Sequence, residues 1–473
     1  MAQQHNESSA GIFLRSLGAA GTVTGSKHLL ITPAMTVMVD CGLFQGIKAL
    51  RERNWAKPPV DPASVGAMVL THAHLDHCGY IPLFVKNGYY GPIYMSGPTR
   101  DLAEIILRDC AKLQEEDAAR ANRHGFSKHH PAQPLYTVAD VEAALPLFKV
   151  CATETNISLQ EQLSFTLYQA GHIPGACSVK FDCYGKKVLF SGDIGRERSE
   201  LLPAPEPLQD ADFVIMETTY GDRLHVASDT GQEMAMVIND TLFRKGNILI
   251  PCFAVGRAQE VMHLIYRLKQ QNAIPRAIPV YLDSPMAAAA GKVLLHHPQW
   301  FRIDGKECAR MFSGVTINEH YEQTKKIIRR RGSKIILAAS GMLTGGRVLE
   351  YLKHYLPDSR NMILLIGFQA EGTRGRALQN NAGELKIHGN YYPVRTAVKE
   401  IEGLSAHADQ RELLNWLRQF AAGRPRVFLV HGEPGAQDAF RVKVKDELGL
   451  DAFIMLPDAP VLLFEVTAAE KTS

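Results

Sequence analysis

Apolar and β-branched residues fall in short runs bounded by Gly, Asn or Asp, and amphipathic stretches such as Arg100–His124 and Gln259–Gln271 lie between them. Short apolar runs suit buried strands and the longer periodic stretches suit helices, so the alternation predicts an α/β fold. Up to about residue 220 the strands come in hairpin-like pairs: Leu163–Gln169, then Ser178–Cys183 and Lys187–Ser191, joined at the tight-turn pair Tyr184-Gly185. From about residue 225 single strands (Asn247–Pro251, Ile278–Leu282, Lys334–Ala338 and Met362–Gly367) are separated by longer helices. That rhythm predicts a mostly parallel sheet with helices on both faces. The apolar run Asn361–Phe368 is far shorter than the ~18 residues of a membrane span, so no membrane segment is expected.

With 473 residues, 46% of them hydrophobic, the chain can bury substantial cores, and typical domain sizes of ~100–200 residues predict two or three domains. A net charge of +3, from 52 basic and 49 acidic side chains, neither requires nor excludes a nucleic-acid partner. Eight cysteines without a CxxC pair, and a start (MAQQHNESSAGIF) without a basic-then-apolar leader, fit reduced thiols and a cytoplasmic protein. The Pro-rich piece Leu202–Leu208 reads as a rigid surface connection, and the basic run Lys325–Lys334 reads first as a solvated helix face. Histidine changes the picture: there are 18, and imidazole is the commonest metal ligand.

The segment Val69–Gly79 reads VLTHAHLDHCG, an apolar strand running straight into His72, His74, Asp76 and His77. Packing does not explain such a density of ligand-type side chains in one tight loop, whereas imidazole nitrogen beside carboxylate oxygen suits Zn²⁺, with Mn²⁺ or Fe²⁺ as alternatives. Three further strand ends present one ligand-type residue beside glycines: His172 in QAGHIPG, Asp193 in VLFSGDIG and His431 in RVFLVHG. Each alone is also readable as a capped turn; with the first cluster they make seven candidate donors, enough for two metals sharing a carboxylate.

The set His72-x-His74-x-Asp76-His77, His172 and Asp193, preceded by Asp40 at the end of Thr36–Val39, resembles the motifs of the metallo-β-lactamase fold. The later motifs narrow the resemblance to the β-CASP branch: an acidic residue after a strand (Glu217 in FVIMETTYGD), a histidine in LSAHAD (His407) and a last histidine (His431). PCFAVGRAQE, DSPMA, SGMLTGGR and GFQAEGTRGR are similar to the signatures of that branch's inserted domain. The resemblance implies an αββα sandwich formed by residues 1–222 and 396–473, with a β-CASP domain inserted at 223–395. It also implies an RNA substrate, because a histidine rather than a valine stands at position 431. The chain is similar to RNase J and to the pre-mRNA 3′-end processing endonuclease, in a compact form without long extensions.

The implied activity is hydrolysis of RNA phosphodiester bonds, by endonuclease or 5′→3′ exonuclease action, through attack of metal-activated hydroxide that leaves 5′-phosphate and 3′-hydroxyl ends. One zinc would be held by His72, His74, His172 and Asp193, and a second by Asp76, His77, His431 and the shared Asp193. Asp76 could also orient the nucleophile, Asp40 would hold a ligand histidine's free N–H, and His407, oriented by Glu217, would protonate the leaving oxygen. Arg257, Ser340, Gly341, Arg374, Arg376 and His388, in glycine-rich loops after strands, are candidate RNA contacts, each equally readable as a plain turn residue. A DNA-directed or small-molecule (ester or lactam) metallohydrolase and a non-catalytic RNA-binding scaffold are the rival readings, and a homodimer is left open.

Overall fold

A computed structural model describes residues 11–125, 129–225, 229–253, 255–367, 369–401 and 405–466. The start Met1–Ala10, and Ala254, Phe368 and Leu404 from the motifs above, lie outside the described residues.

Two seven-stranded sheets pack face to face. The first runs, from one edge, Pro460–Glu465, Gly11–Gly18, Lys27–Ile31, Thr36–Val39, Val65–Val69, Ile93–Met95 and Phe148–Val150. The second runs Ala452–Ile454, Arg426–Val430, Phe213–Glu217, Lys186–Phe190, Cys177–Cys183, Leu163–Gln169 and Ile157–Gln160. Their facing surfaces bury Leu14, Val37, Val69, Phe165, Phe181 and Phe190, the alternate positions of each strand. Helix Gly97–His124 covers the first sheet with Leu102, Ile106 and Leu107, and helices Gln410–Arg418 and Pro434–Leu448 cover the second with Leu413, Leu417 and Phe440. The result is an αββα sandwich.

The six-stranded third sheet takes every strand between Ile248 and Ile401, apart from one separate hairpin, in the order Thr316–Ile317, Val280–Asp283, Ile335–Ala338, Ile248–Pro251, Met362–Ile366 and Ala397–Ile401. All its pairings are parallel, and helices bury Val261, Met262 and Ile265 on one face and Leu349, Tyr351 and Leu352 on the other. Both faces being covered explains why its central strands read as unbroken apolar runs. DSPMA and TGGR meet here: the buried Asp283 carboxylate accepts from Asn318 Nδ2 (2.9 Å), Thr324 Oγ1 (2.7 Å), Arg347 Nη1 (2.7 Å) and Tyr351 Oη (2.5 Å), a hub that ties the sheet to its helices. No helix among the described residues is long and apolar enough to cross a membrane.

Topology positions the site. Phe213–Glu217 leaves the second sheet for the third, and the chain returns as Arg426–Val430, which lies parallel beside it with Glu217 opposite Val430. Lys186–Phe190 is parallel to Phe213–Glu217 on its other side, and Thr36–Val39 is parallel to Val65–Val69 in the first sheet. Parallel neighbours end at one edge, so the residues just past these strands are gathered on one rim of the sandwich.

Candidate metal centre

The loop after Val65–Val69 carries His72 and His74, and a single helical turn, Leu75–Cys78, carries Asp76 and His77. The sequence pattern places all four in one tight loop with the last two turned toward a neighbouring point; the structure separates the pairs in that way, with the helical turn beginning already at Leu75. A backbone ladder holds it: Ser26 N donates to Asp76 O (2.8 Å), Cys41 N to His77 O (2.6 Å) and Leu43 N to Leu75 O (2.9 Å). Gly42 is required there, since a Cβ would lie 1.6 Å from Asp76 O.

Three donor groups form among the described residues; the first two bring together all seven sequence candidates, and the third joins Asp193 to Glu217 and His407. In the first, His74 Nδ1 lies 3.1 Å from His72 Nε2 and 3.2 Å from His172 Nε2, and Asp193 Oδ2 is 3.5 Å from each of those Nε2 atoms. In the second, His77 Nε2 and His431 Nε2 are 3.2 Å apart, with Asp193 Oδ1 3.3 Å from His77 Nε2 and Asp76 Oδ2 3.5 Å from His431 Nε2. Asp193 thus turns one oxygen to each of these two groups.

The outer ring nitrogens define the tautomers. His77 Nδ1 donates to Asp40 Oδ2 (2.7 Å), His72 Nδ1 to Thr71 Oγ1 (3.1 Å), and His431 Nδ1 to Thr219 Oγ1 (3.1 Å). Thr71 Oγ1 in turn donates to the Asp40 carboxylate (2.9 Å). Each of these rings therefore points an Nε2 lone pair inward. Asp40 (φ 61°) and His431 (φ 47°) hold left-handed backbone, a strain maintained by bonds such as that from His431 N to Ala19 O (2.6 Å).

Donors about 2.0–2.1 Å from a tetrahedral ion stand roughly 3.3 Å apart, close to the spacings here, and buried Asp193 Oδ1 has no hydrogen-bond partner among the described residues. The residues fit a divalent metal. Charge agrees: burial, with the His77 charge, holds His72 well below the usual imidazole range, and burial holds His74 at about 4, so both keep lone pairs free. Burial works against charge on His77 and on Asp193 as well, but Asp193 and Asp40 raise His77 well above its usual value, and His431 and His77 drive Asp193 well below its own. A divalent cation among these donors would supply the positive charge the carboxylates demand and leave His77 Nε2 free to ligate.

On the rim beside the first group, His407 Nδ1 lies 3.1 and 3.2 Å from the two oxygens of buried Glu217, and its Nε2 is 3.9 Å from Asp193 Oδ2. Glu217 is fixed by Ile194 N (2.6 Å) and Thr219 N (3.3 Å). Burial disfavours the His407 cation, but Glu217 and Asp193 outweigh it and raise the pKa.

The third sheet's loops roof this rim. Phe253 faces His74 with ring centroids 6.0 Å apart, and Gly341 lies so close to Phe253 that a Cβ would approach its ring to 2.9 Å. The buried Arg257 pairs with Glu260, and Ser340 Oγ accepts from Thr344 N (2.9 Å). Arg376 lies 3.3 Å from Glu371 and 3.8 Å from Glu433, lining a cleft with Tyr220, Arg223 and Gln369. Arg374 is engaged by backbone, donating to the carbonyls of Lys386 (2.7 Å), Leu343 (3.1 Å) and Thr344 (3.2 Å), and His388 lies in a hairpin turn away from the donor groups. The piece Leu202–Leu208 does more than connect: its two terminal leucines are buried, and Glu206 clasps Gln169, accepting from its N–H (2.9 Å) and donating to its carbonyl (2.8 Å), beneath the His172 loop. In the basic run, Lys325 and Lys326 are exposed on helix Tyr321–Arg329, whereas Lys334 is buried and donates to Asn247 Oδ1 (2.9 Å).

Sequence reasoning passed over Thr71, Thr219 and Lys27. The signal for the threonines was nearness in sequence, Thr71 next to His72 and Thr219 two residues past Glu217; for Lys27 it was a charge opening the apolar strand KHLLI. Buried Lys27 lies over the rings of Phe44 (4.6 Å) and Tyr80 (4.8 Å) and donates to Gly42 O, pinning the glycine that supports Asp76. Burial pulls its pKa from 10.5 down to about 8. The unfolded chain therefore binds the extra proton between these values, and folding stability rises with pH across that window, by of order 3 kcal/mol. The buried thiols, whose pKa burial raises, act in the opposite sense over the same window, so thermal melts from pH ~8 to ~10 should show stability changing less favourably with pH in Lys27→Met than in the wild type; equal slopes would refute the assignment.

Residues 28–232 match the metallo-beta-lactamase superfamily, 258–378 the Beta-Casp domain, and 391–455 the Zn-dependent metallo-hydrolase RNA specificity domain. Ribonuclease TTHA0252 of Thermus thermophilus is 39% identical over 426 residues, covering 88% of this chain and 92% of that protein. An RNase J-like protein of Methanocaldococcus jannaschii is 30% identical over 422 residues, 88% of this chain and 92% of its own length. Transcription termination factor FttA of the same organism is 32% identical over 440 residues, covering 88% of this chain and 66% of that protein. A crystal structure of a protein of unknown function from Enterococcus faecalis V583 shares the fold, with a TM-score of 0.53 at 12% identity, over 96% of this chain and 100% of that one. With these domains in this order, and a 39% identical relative spanned almost end to end, the chain belongs to the β-CASP family of metallo-β-lactamase-fold hydrolases.

Proposed function

We propose that the protein is a zinc-dependent ribonuclease that hydrolyses RNA phosphodiester bonds to 5′-phosphate and 3′-hydroxyl ends. The observation that carries this reading is Asp193, one oxygen in each donor group, with His407 Nε2 3.9 Å from it across the rim. Five imidazoles and two carboxylates suit a zinc pair, with manganese as the second choice. Divalent ions in such a donor set supply an acidified water and neutralise charge on a phosphoryl oxygen.

The chain's own residues do the rest. Asp40 and Thr71 keep His77 and His72 in the tautomers that turn lone pairs inward, and Thr219 does so for His431. Glu217 accepts a hydrogen bond from the Nδ1–H of His407 and favours the protonated ring, whose Nε2–H is aimed over the rim to deliver its proton to the departing 3′-oxygen. The third sheet's loops over the rim leave a cleft rather than a closed cavity, which suits a polymer. The relatives named ribonuclease and RNase J-like, and the RNA specificity domain match, support RNA over DNA or a small ester.

Purified protein incubated with 5′-labelled and 3′-labelled RNA should yield 5′-phosphate products, lose activity on chelation and regain it with zinc. Product lengths from the two labels assign endonuclease or 5′→3′ exonuclease action. Cleavage indifferent to chelator, or hydrolysis of nitrocefin with RNA left intact, would sink the reading.

A further inference from the structure

A surface that the centre does not use lies beyond Arg374. The hairpin Glu384–Ile387 and Asn390–Pro393 forms a two-stranded sheet of its own, closed by His388 (φ 48°) and Gly389 (φ 87°), the left-handed pair that a two-residue turn demands. Leu385 and Ile387 are buried in the third sheet's flanking core, and Arg374 holds the Lys386 carbonyl, so the hairpin stands rigidly. On its solvent face Lys386 and Tyr391 are direct cross-strand partners: Nζ lies 5.4 Å from the ring centroid, and Tyr391 is 61% exposed.

The surroundings are cationic. Besides partial burial, the charges of Lys353, Arg120 and Arg374 lower the His388 pKa, against the opposing Glu350, which pairs with Lys353 at 2.7 Å. A chain of contacts leads back to the metal centre, from Tyr391 and Lys386 through Arg374 to the Thr344 carbonyl (3.2 Å), then by the Ser340–Gly341 turn to Phe253, which faces His74. An exposed ring flanked by fixed cations is what sequence-tolerant binding of a single strand requires, because every base offers a face and every linkage a charge.

We propose that this hairpin face is a binding platform for single-stranded RNA outside the metal centre, with a base stacked on Tyr391 and the neighbouring phosphate met by Lys386. The proposal rests on the ribonuclease reading for its ligand class. It assigns the strand's path, which the centre alone leaves undefined.

Binding of fluorescein-labelled oligouridylate to full-length protein, on a His407→Ala background that slows turnover, tests it by anisotropy. Adding Tyr391→Ala should weaken Kd about tenfold, within the range of one lost base stack, and Tyr391→Trp should hold Kd within about threefold. Lys386→Gln should reduce the slope of log Kd against log salt by about one. An unchanged Kd for Tyr391→Ala overturns the platform, and so does a Trp variant as weak as the Ala variant, because the ring would then be serving the fold. Failure of the wild type to cleave RNA is read separately and removes the ribonuclease reading, whatever the hairpin binds.

Discussion

Asp193→Ala is expected to strip both donor groups of metal and to lower RNA cleavage by on the order of 10⁴-fold or more, since an acidified water is what a two-ion centre contributes. Its carboxylate turns one oxygen toward each donor group: Oδ2 lies 3.5 Å from His72 Nε2 and from His172 Nε2, and Oδ1 lies 3.3 Å from His77 Nε2. Metal content by elemental analysis and cleavage of end-labelled RNA read the two consequences separately. A variant that retains two equivalents of zinc would show that Asp193 does not bridge the groups.

His407→Ala should behave differently, with metal content preserved and turnover reduced by about 10²–10⁴-fold, the usual contribution of a positioned general acid. The leaving group supplies the discriminating control. A 3′-alkoxide needs a proton as the bond breaks, whereas p-nitrophenolate does not, so the variant's deficit should nearly vanish on a p-nitrophenyl phosphodiester. An equal deficit on both substrates would assign His407 to binding or structure instead. Glu217→Gln should follow His407→Ala in kind at smaller size, because the amide still holds the ring but no longer favours its charged form.

The seven donors were legible because each stands at or just past a strand end, where an ionisable side chain adds nothing to the apolar core and its burial makes sense only with a charge to meet. Glu217 and His407 were legible only through the resemblance to the β-CASP motifs, and they meet at 3.1 Å. Thr71 and Thr219 escaped because a neutral hydroxyl carries neither periodicity nor charge; only the ring nitrogen opposite gives it meaning. Arg374 misled for the converse reason: arginine in a glycine-rich loop suggests phosphate, yet backbone carbonyls compete for the same donors. Strand adjacency was the larger gap. Nothing local indicates that Ala397–Ile401 joins the third sheet beside Met362–Ile366, or that Arg426–Val430 lies beside Phe213–Glu217, because such pairings are decided by the global packing of layers.

That last pairing also sets a schedule. Six of the seven donors precede residue 194, but His407 and His431 follow a whole inserted sheet, and His431 reaches the rim only when its strand docks against Phe213–Glu217. Domains fold as units as the chain emerges from the ribosome, and pairings between distant segments form last. The second donor group, and the pairing of His407 with Glu217, are therefore completed only after the inserted sheet has been made, so a nascent chain that stops short of residue 431 carries an unfinished centre.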